Sequence, residues 1–539
     1  MSHAETPQSA DQLRAAAPRF QAHWTVEQLR AQLPLAFPSS PAPEVPDTFR
    51  ARSWYTYPGW EALTDTDTLA TLDDFYVAVH LIDFTPLRGE LVRLSQIHVN
   101  APGETPFDPV SLFVCCLLRW ETGKGWPKLA KFLAGPEGTC WRRLCGFRVA
   151  DTPAASTMRH FFHALGTAFD QDLCPRFIKL LQAAGLLPPH DPDTETPARD
   201  GLPVATDGML HEAHAQTTCS KVRTTCYQPT TPHHPRPCPA RDAGQRGCTC
   251  DTQACRDICQ RATPRDPEAR FIHYTGRNQD EEADPQRARN VHGYRSYAHT
   301  LVDDELHVYW NIYTSVHPAN ADERIIFPQD FTYLHQRLPR LPISELVADA
   351  ALGYAPCLTL IYEADAIPII DIRHHKVDKQ PETCRLRGYD AQGRPLCPHG
   401  YPMAFNGLDY DRLRATWVCR QVCRRAAHAP PEDADCPYRD PNRSLGMTRH
   451  VTDAFMHPDG SRHARLARLF ALDSPTWQAR YGSRRNATES RNSQLETLQL
   501  KQIWSYGLDG AIADITFADL LINLRTLGRL VRQASLLDS

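Results

Sequence analysis

The stretch Leu202-Pro-Val-Ala-Thr-Asp-Gly208 decides the reading of this chain. A short apolar run ends on an acid and a glycine, the pattern of a buried strand that delivers a carboxylate. A second run, Glu345-Leu-Val-Ala-Asp349, repeats the pattern. A third acid, Glu489, closes Arg485-Asn-Ala-Thr-Glu489 in a polar segment of helical periodicity. Asp207, Asp349 and Glu489 together suit hard divalent cations, because an all-carboxylate set favours Mg2+ or Mn2+ over zinc. Two such ions in one site activate one oxygen and stabilise another during in-line attack at phosphorus.

Each acid also has a plainer reading. Asp207-Gly208 is a common turn pair, Asp349 suits the cap of a following helix, and most helix glutamates are solvated. The setting of Glu489 sharpens its case. Ser474-Pro-Thr-Trp477 predicts a helix start, with Ser474 as N-cap and Pro475 at the first position. Along that helix Tyr481, Arg485, Glu489, Asn492 and Glu496 recur at three- and four-residue spacing and share one face. Such a face suits a helix leaning over an active site, with Arg485 on a phosphate. The competing reading is an exposed Arg485–Glu489 pair worth a few tenths of a kcal/mol, and Glu496 is a rival third ligand. His211 and His214 read as strand residues or DNA contacts, with metal ligation the lesser alternative.

Working outward, Tyr294-Arg-Ser-Tyr-Ala-His-Thr-Leu-Val302 and Leu306-His-Val-Tyr-Trp-Asn-Ile-Tyr313 flank a tight acidic turn and predict a hairpin. Ile367-Pro-Ile-Ile-Asp-Ile372 is a further short buried strand. Hairpin strands followed by strands joined through helices give a mixed α/β sheet, covered by late helices at 475–503 and 516–533. Upstream, the pattern is helical. Thr71-Leu-Asp-Asp-Phe-Tyr-Val-Ala-Val-His-Leu-Ile82 is amphipathic, and Phe107-Asp-Pro109 opens a helix with Asp108 as N-cap. The expected layout is a loose leader over 1–65, a helical domain over 66–190, and a split core over 200–373 plus 465–539. The helical domain suits either DNA binding or dimerisation.

At 539 residues the chain exceeds a single core. Its 42% apolar and 23% charged residues are those of a globular protein. No apolar run approaches the roughly 18 residues of a membrane span. The N-terminus lacks a basic region followed by an apolar stretch, so a cytoplasmic protein is expected. A net charge of −4 argues against indiscriminate DNA binding. Yet Arg439 to Lys501 holds eleven Lys/Arg against six Asp/Glu, and local charge matters most where screening limits each charge to about 10 Å. No Walker-type run points to a nucleotide cofactor.

Eighteen cysteines in such a chain suggest metal ligands rather than disulfides. Cys219, Cys226, Cys238, Cys248, Cys250, Cys255 and Cys259 fall in one Pro- and Gly-rich insertion, 217–262. Cys384, Cys397, Cys419, Cys423 and Cys436 fall in a second, 374–460. Apolar residues are few in the first, so structural zinc would supply folding energy there. The spacings are not tidy Cys-x-x-Cys pairs, and reduced surface thiols are the alternative. A zinc enzyme is disfavoured by the absence of His-Glu-x-x-His and of a deaminase signature.

Four stretches in order then resemble a known family. They are Val204-Ala-Thr-Asp-Gly-Met-Leu210, Arg265-Asp-Pro-Glu-Ala-Arg-Phe271 with His292-Gly-Tyr-Arg-Ser-Tyr-Ala-His-Thr300, Leu346-Val-Ala-Asp-Ala-Ala-Leu-Gly-Tyr354, and Tyr481-Gly-Ser-Arg-Arg-Asn-Ala-Thr-Glu489. The chain resembles bacterial insertion-sequence transposases of the DDE type from about 100 to 530. The resemblance implies an RNase H-like catalytic core and Asp207, Asp349 and Glu489 as catalytic metal ligands. It implies cleavage at mobile-element ends and joining of the 3′-OH to target DNA. It further implies double-stranded DNA as partner, a homo-oligomer that synapses two ends, and association with the nucleoid. Tyr481, Arg484, Arg485 and Lys501 take the DNA-contacting places. Two departures stand out: the position seven residues beyond Glu489, usually Lys, is Glu496, with Lys501 the nearest Lys. Tyr481 and Arg485 are one residue further apart than usual unless Arg484 is the matching Arg. An inactive, DNA-binding descendant of such an enzyme is therefore the alternative.

Overall fold

The computed structural model describes residues 29–46, 49–63, 72–99, 103–187, 201–214, 225–228, 231–237, 266, 268–274, 289–303, 308–364, 366–370, 394–397, 400–409, 414–421, 446, 448–451 and 475–537. Among these, no helix is long and apolar enough to cross a membrane. The fold is mixed α/β, with a helical N-terminal part and a mixed sheet flanked by helices.

The N-terminal part holds α1 (Asp74–Leu81), α2 (Arg88–Leu94), α3 (Pro109–Thr122), α4 (Trp126–Ala134), α5 (Thr139–Leu144), α6 (Ala155–Ala164) and α7 (Thr167–Ala183). Helix α3 starts as its sequence dictates: Asp108 accepts from the Val110 amide, Pro109 opens the helix, and Gly123 closes it at φ 61°. The Asp108 carboxylate also accepts from the Tyr55 amide and from Arg88, fixing the preceding segment.

The described part of the expected loose leader over 1–65, residues 29–46 and 49–63, packs against the helices. Within it Leu29, Leu35, Phe37, Tyr55 and Trp60 are buried. β1 (Leu35–Ala36) pairs in parallel with β2 (Ile82–Asp83). Proline-rich sequence erases periodicity without preventing burial, because its apolar side chains pack while its missing N–H groups need no ladder.

The main sheet is built on β3 (Leu202–Ala213) and β7 (Arg289–Asp303), which run antiparallel with Asp207 opposite Ala298. β6 (Arg270–Tyr274) and β8 (Val308–Pro318) both pair with the far edge of β7. On its other edge β3 pairs in parallel with β9 (Ile343–Ala348) over Leu202–Thr206, and β9 with β10 (Ile367–Ile370). Short β14 (Gln502–Ile503) then pairs with Glu212 and Ala213. Between them β4 (Thr225–Gln228) and β5 (Thr231–Pro237) form a separate hairpin. β11 (Ala404–Asp409), β12 (Arg414–Val418) and β13 (Thr448–Val451) form a small antiparallel sheet. Helices α8 (Glu323–Arg337) and α9 (Ala355–Glu363) lead into β9 and β10, and α10 (Pro475–Thr497) and α11 (Gly507–Leu537) close the fold. The expected hairpin is β7–β8, and the late helices cover the sheet as expected. The expected N-cap Ser474 lies outside the described residues.

One buried cluster runs through the helical part and the sheet. Phe517 of α11 meets Phe113 at 5.7 Å and Phe162 at 5.0 Å, and Phe177 of α7 meets Trp310 of β8 at 5.9 Å. A smaller cluster joins Ala205, Val347 and Ile369 of the sheet to Ala487 of α10 and to Cys397, Met403 and Trp417.

Candidate functional site

The edge of β3 opens where β9 stops. Thr206 pairs with Ala348, the last residue of β9, and among the described residues pairing on this edge resumes at Glu212 with β14. Asp207 and Asp349 therefore follow one another side by side at the ends of the paired segments. Asp349 Oδ1 accepts from the Ala351 amide at 2.8 Å, so it does cap the following turn. Asp207 Oδ1 accepts from the Gly208 amide at 2.9 Å. Burial, and then the charge of Asp349, push the Asp207 carboxyl up to about 6. Glu489 adds to that push, whereas Arg485 opposes it.

Helix α10 lies across β3, β9 and β10 at this point. Glu489 projects from it with its side chain 61% exposed, 3.8 Å from Arg485. Arg485 donates to the Tyr481 hydroxyl at 3.0 Å and lies over its ring. Burial works against the Arg485 charge, but Tyr481, Asp207 and Asp349 outweigh it and raise its pKa. The three acids, Arg485 and Tyr481 thus share one electrostatic environment. Among the described residues no three His, Cys, Asp or Glu side chains stand close enough to hold a metal as they are. The donor chemistry nonetheless fits a divalent cation: the Asp207 carboxyl is crowded by burial and by the charge of Asp349, which a cation would relieve.

Two expected contacts lie elsewhere. Arg484 does not face outward; with Arg480 it clasps Glu345, a buried residue of β9. A buried acid on the strand demands a cation, and the helix supplies it. Lys501 pairs with exposed Glu496 at 2.9 Å, and its carbonyl accepts from the Glu212 amide. Glu212 is five residues along β3 from Asp207, roughly 16 Å at strand spacing, so Lys501 does not join the site. His211 is buried too, bonded to the Leu500 carbonyl and the Ser296 hydroxyl. His214 is exposed and lies tilted against Trp504, ring centroids 4.3 Å apart.

Of the expected zinc ligands, Cys397 is buried and Cys419 partly buried against the smaller cluster. Cys226 lies on β4, whose side chains are not described. Cys219, Cys238, Cys248, Cys250, Cys255, Cys259, Cys384, Cys423 and Cys436 lie outside the described residues.

One acid at the site went unread in the sequence. Glu323, the first residue of α8, is 19% exposed and ion-paired with Arg295 of β7. Burial, and then Asp349 and Asp207, push its carboxyl up to about 7 against the pull of Arg295. The available signal was Asp322, an N-cap that fixes where the next side chain starts.

No family model matches the chain, and no curated protein matches it. A solved cryo-EM structure, the piggyBac transposase synaptic complex with hairpin DNA, is similar at 8% identity with a TM-score of 0.29. The match covers 86% of this chain and 80% of that one.

Proposed function

We propose that the chain is a DDE-type DNA transposase that cleaves phosphodiesters at mobile-element ends and joins the freed 3′-OH to target DNA. The observation that carries this reading is the pair Asp207 and Asp349 at an open sheet edge, under a helix bearing Glu489 and Arg485. The four ordered sequence motifs support it independently. Asp207, Asp349 and Glu489 would hold Mg2+ or Mn2+, two per site. When bound, such ions lower the pKa of a water and stabilise the departing oxygen.

The chain's own residues divide the remaining work. Arg485, braced by the Tyr481 hydroxyl, binds a non-bridging phosphate oxygen and orients the scissile group. Arg480 and Arg484 hold α10, the helix that carries Glu489, to β9 through Glu345. Zinc at the cysteine-rich segments is a structural part of the proposal, and metal content of the purified chain tests it. Two element ends must be held at once, so a homo-oligomer on double-stranded DNA is proposed.

Cleavage of the DNA flanking this gene tests the reading, with Mg2+, Mn2+ or EDTA, wild type against Asp349→Ala. Nicking at the element ends that needs the metal and falls at least a hundredfold in the variant is the expected result. Specific binding without nicking in either metal would favour an inactive DNA-binding descendant, a reading motivated by Glu496 at the usual Lys position.

A further inference from the structure

Glu323 reaches the open edge of β3 from the other side of the strand. Asp322 caps α8 by accepting from the Arg324 amide at 3.0 Å, which sets Glu323 at the first helical position. A Cβ on Gly208 would lie 2.9 Å from Glu323 Oε1 and 3.5 Å from Arg295 Cδ. The carboxylate therefore rests on the backbone next to Asp207, where a Cβ would push it aside. Arg295 fixes it there: Arg295 faces Leu210 across the β3–β7 ladder and donates to Glu323. Beneath them Tyr297, opposite Gly208, is fully buried, so the pair cannot sink further into the sheet. Successive side chains of a strand point to opposite faces. Asp207 and the Gly208 side thus differ in direction, but among the described residues no strand pairs with this edge between Thr206 and Glu212. The charges of Asp349 and Asp207 nevertheless both act on Glu323, so the three carboxyls share one field at this edge.

We propose that Glu323 is a positioning carboxylate of the cation site, held by Arg295 over Gly208 to accept a hydrogen bond from a water on a divalent cation bound by Asp207 and Asp349. The inference rests on the cation-dependent reading above. Mg2+ sheds its waters reluctantly and keeps several when bound through one or two carboxylates. Partners of such waters and ligands typically carry ten- to hundredfold in metal affinity. A direct ligand role is not needed, in keeping with the spacing of the described acids.

Mn2+ binding to the full-length chain without DNA tests the proposal, read by the electron paramagnetic resonance of free Mn2+. Glu323→Gln keeps the shape and removes the charge, and it should weaken Mn2+ binding about tenfold. Asp349→Ala should weaken it further. Gly208→Ala leaves every charge in place but displaces the carboxylate, and it should weaken binding like Glu323→Gln. This variant decides the matter if Glu323→Gln fails to fold by circular dichroism. Unchanged Mn2+ affinity in either folded variant, with loss in Asp349→Ala, would overturn the role of Glu323 alone. Unchanged affinity in Asp349→Ala as well would overturn the cation site itself. Normal Mn2+ binding without DNA nicking would count against the transposase reading and leave Glu323 standing.

Discussion

His211 lies wholly buried between the Leu500 carbonyl at 2.5 Å and the Ser296 hydroxyl at 2.7 Å. Burial lowers its pKa from 6.5 to about 4, with Arg491 adding to the effect against the pull of the Leu500 carbonyl. The folded state therefore holds this ring neutral, and between those pH values the unfolded chain binds the extra proton. Its stabilising effect is complete above pH 6.5 and is lost as pH falls toward 4, on the order of 3 kcal/mol. Urea unfolding at pH 7 and pH 4.5 should show this loss, and His211→Gln should flatten it. An equal loss in the variant would assign the acid sensitivity to other groups. At this scale the sequence shows residue types but not their partners, although His211 does lie on a strand as read. His211, Arg484 and Lys501 were polar residues near an acidic motif, and only the fold shows that each is already engaged with Leu500, Glu345 or Glu496.

At the scale of elements, close approach outweighs propensity. Helix α11 crosses α1 at Gly528, where a Cβ would lie 1.8 Å from the Asp74 carbonyl oxygen and 3.3 Å from the Ala78 amide. Helix propensity alone predicts that Gly528→Ala stabilises by about 1 kcal/mol. The backbone contact predicts the opposite sign, a loss of about 2 kcal/mol from overpacking. Thermal melting of the variant decides between them by direction alone. Helix α10 is likewise set by a buried contact. Arg491 grips Asp519 of α11 through Nε and Nη2, each at 2.9 Å, and Asp519 also accepts from Thr314 and Asn311 of β8. That pairing holds one face of α10 inward, and Glu489 and Arg485 are carried on the rest of the helix. The helix was legible from its periodicity and from Pro475; which of its polar residues face the core was not, because Arg491 reads in sequence like any surface charge.

For the whole molecule, the helical part and the sheet share one core. Phe517 is fully buried between Phe113 and Phe162, far from it in sequence. Phe517→Ala should cost about 3–5 kcal/mol. Tryptophan fluorescence and circular dichroism should then shift together to a lower melting temperature. Separate shifts would mean that the helical part and the sheet melt as independent units. The expected boundary near residue 190 marks a change of secondary structure, whereas the hydrophobic cluster continues across it. Composition and periodicity report each segment's local preference, and neither can register that the last helix packs back on the first.

Strand and helix types, the order of the acidic motifs and the start of α3 were determined by the sequence itself, because apolar periodicity and capping act over a few residues. Asp207 and Asp349 were legible as strand-end acids for the same reason. Tertiary structure alone decided the rest. It left the edge of β3 open beside Asp207, brought Glu323 and Arg295 onto Gly208, folded the proline-rich leader into the core, and turned Arg484 and Arg491 inward. Each of these is a contact between residues distant in the chain, where a buried charge must find its partner, and no local pattern specifies which partner that is.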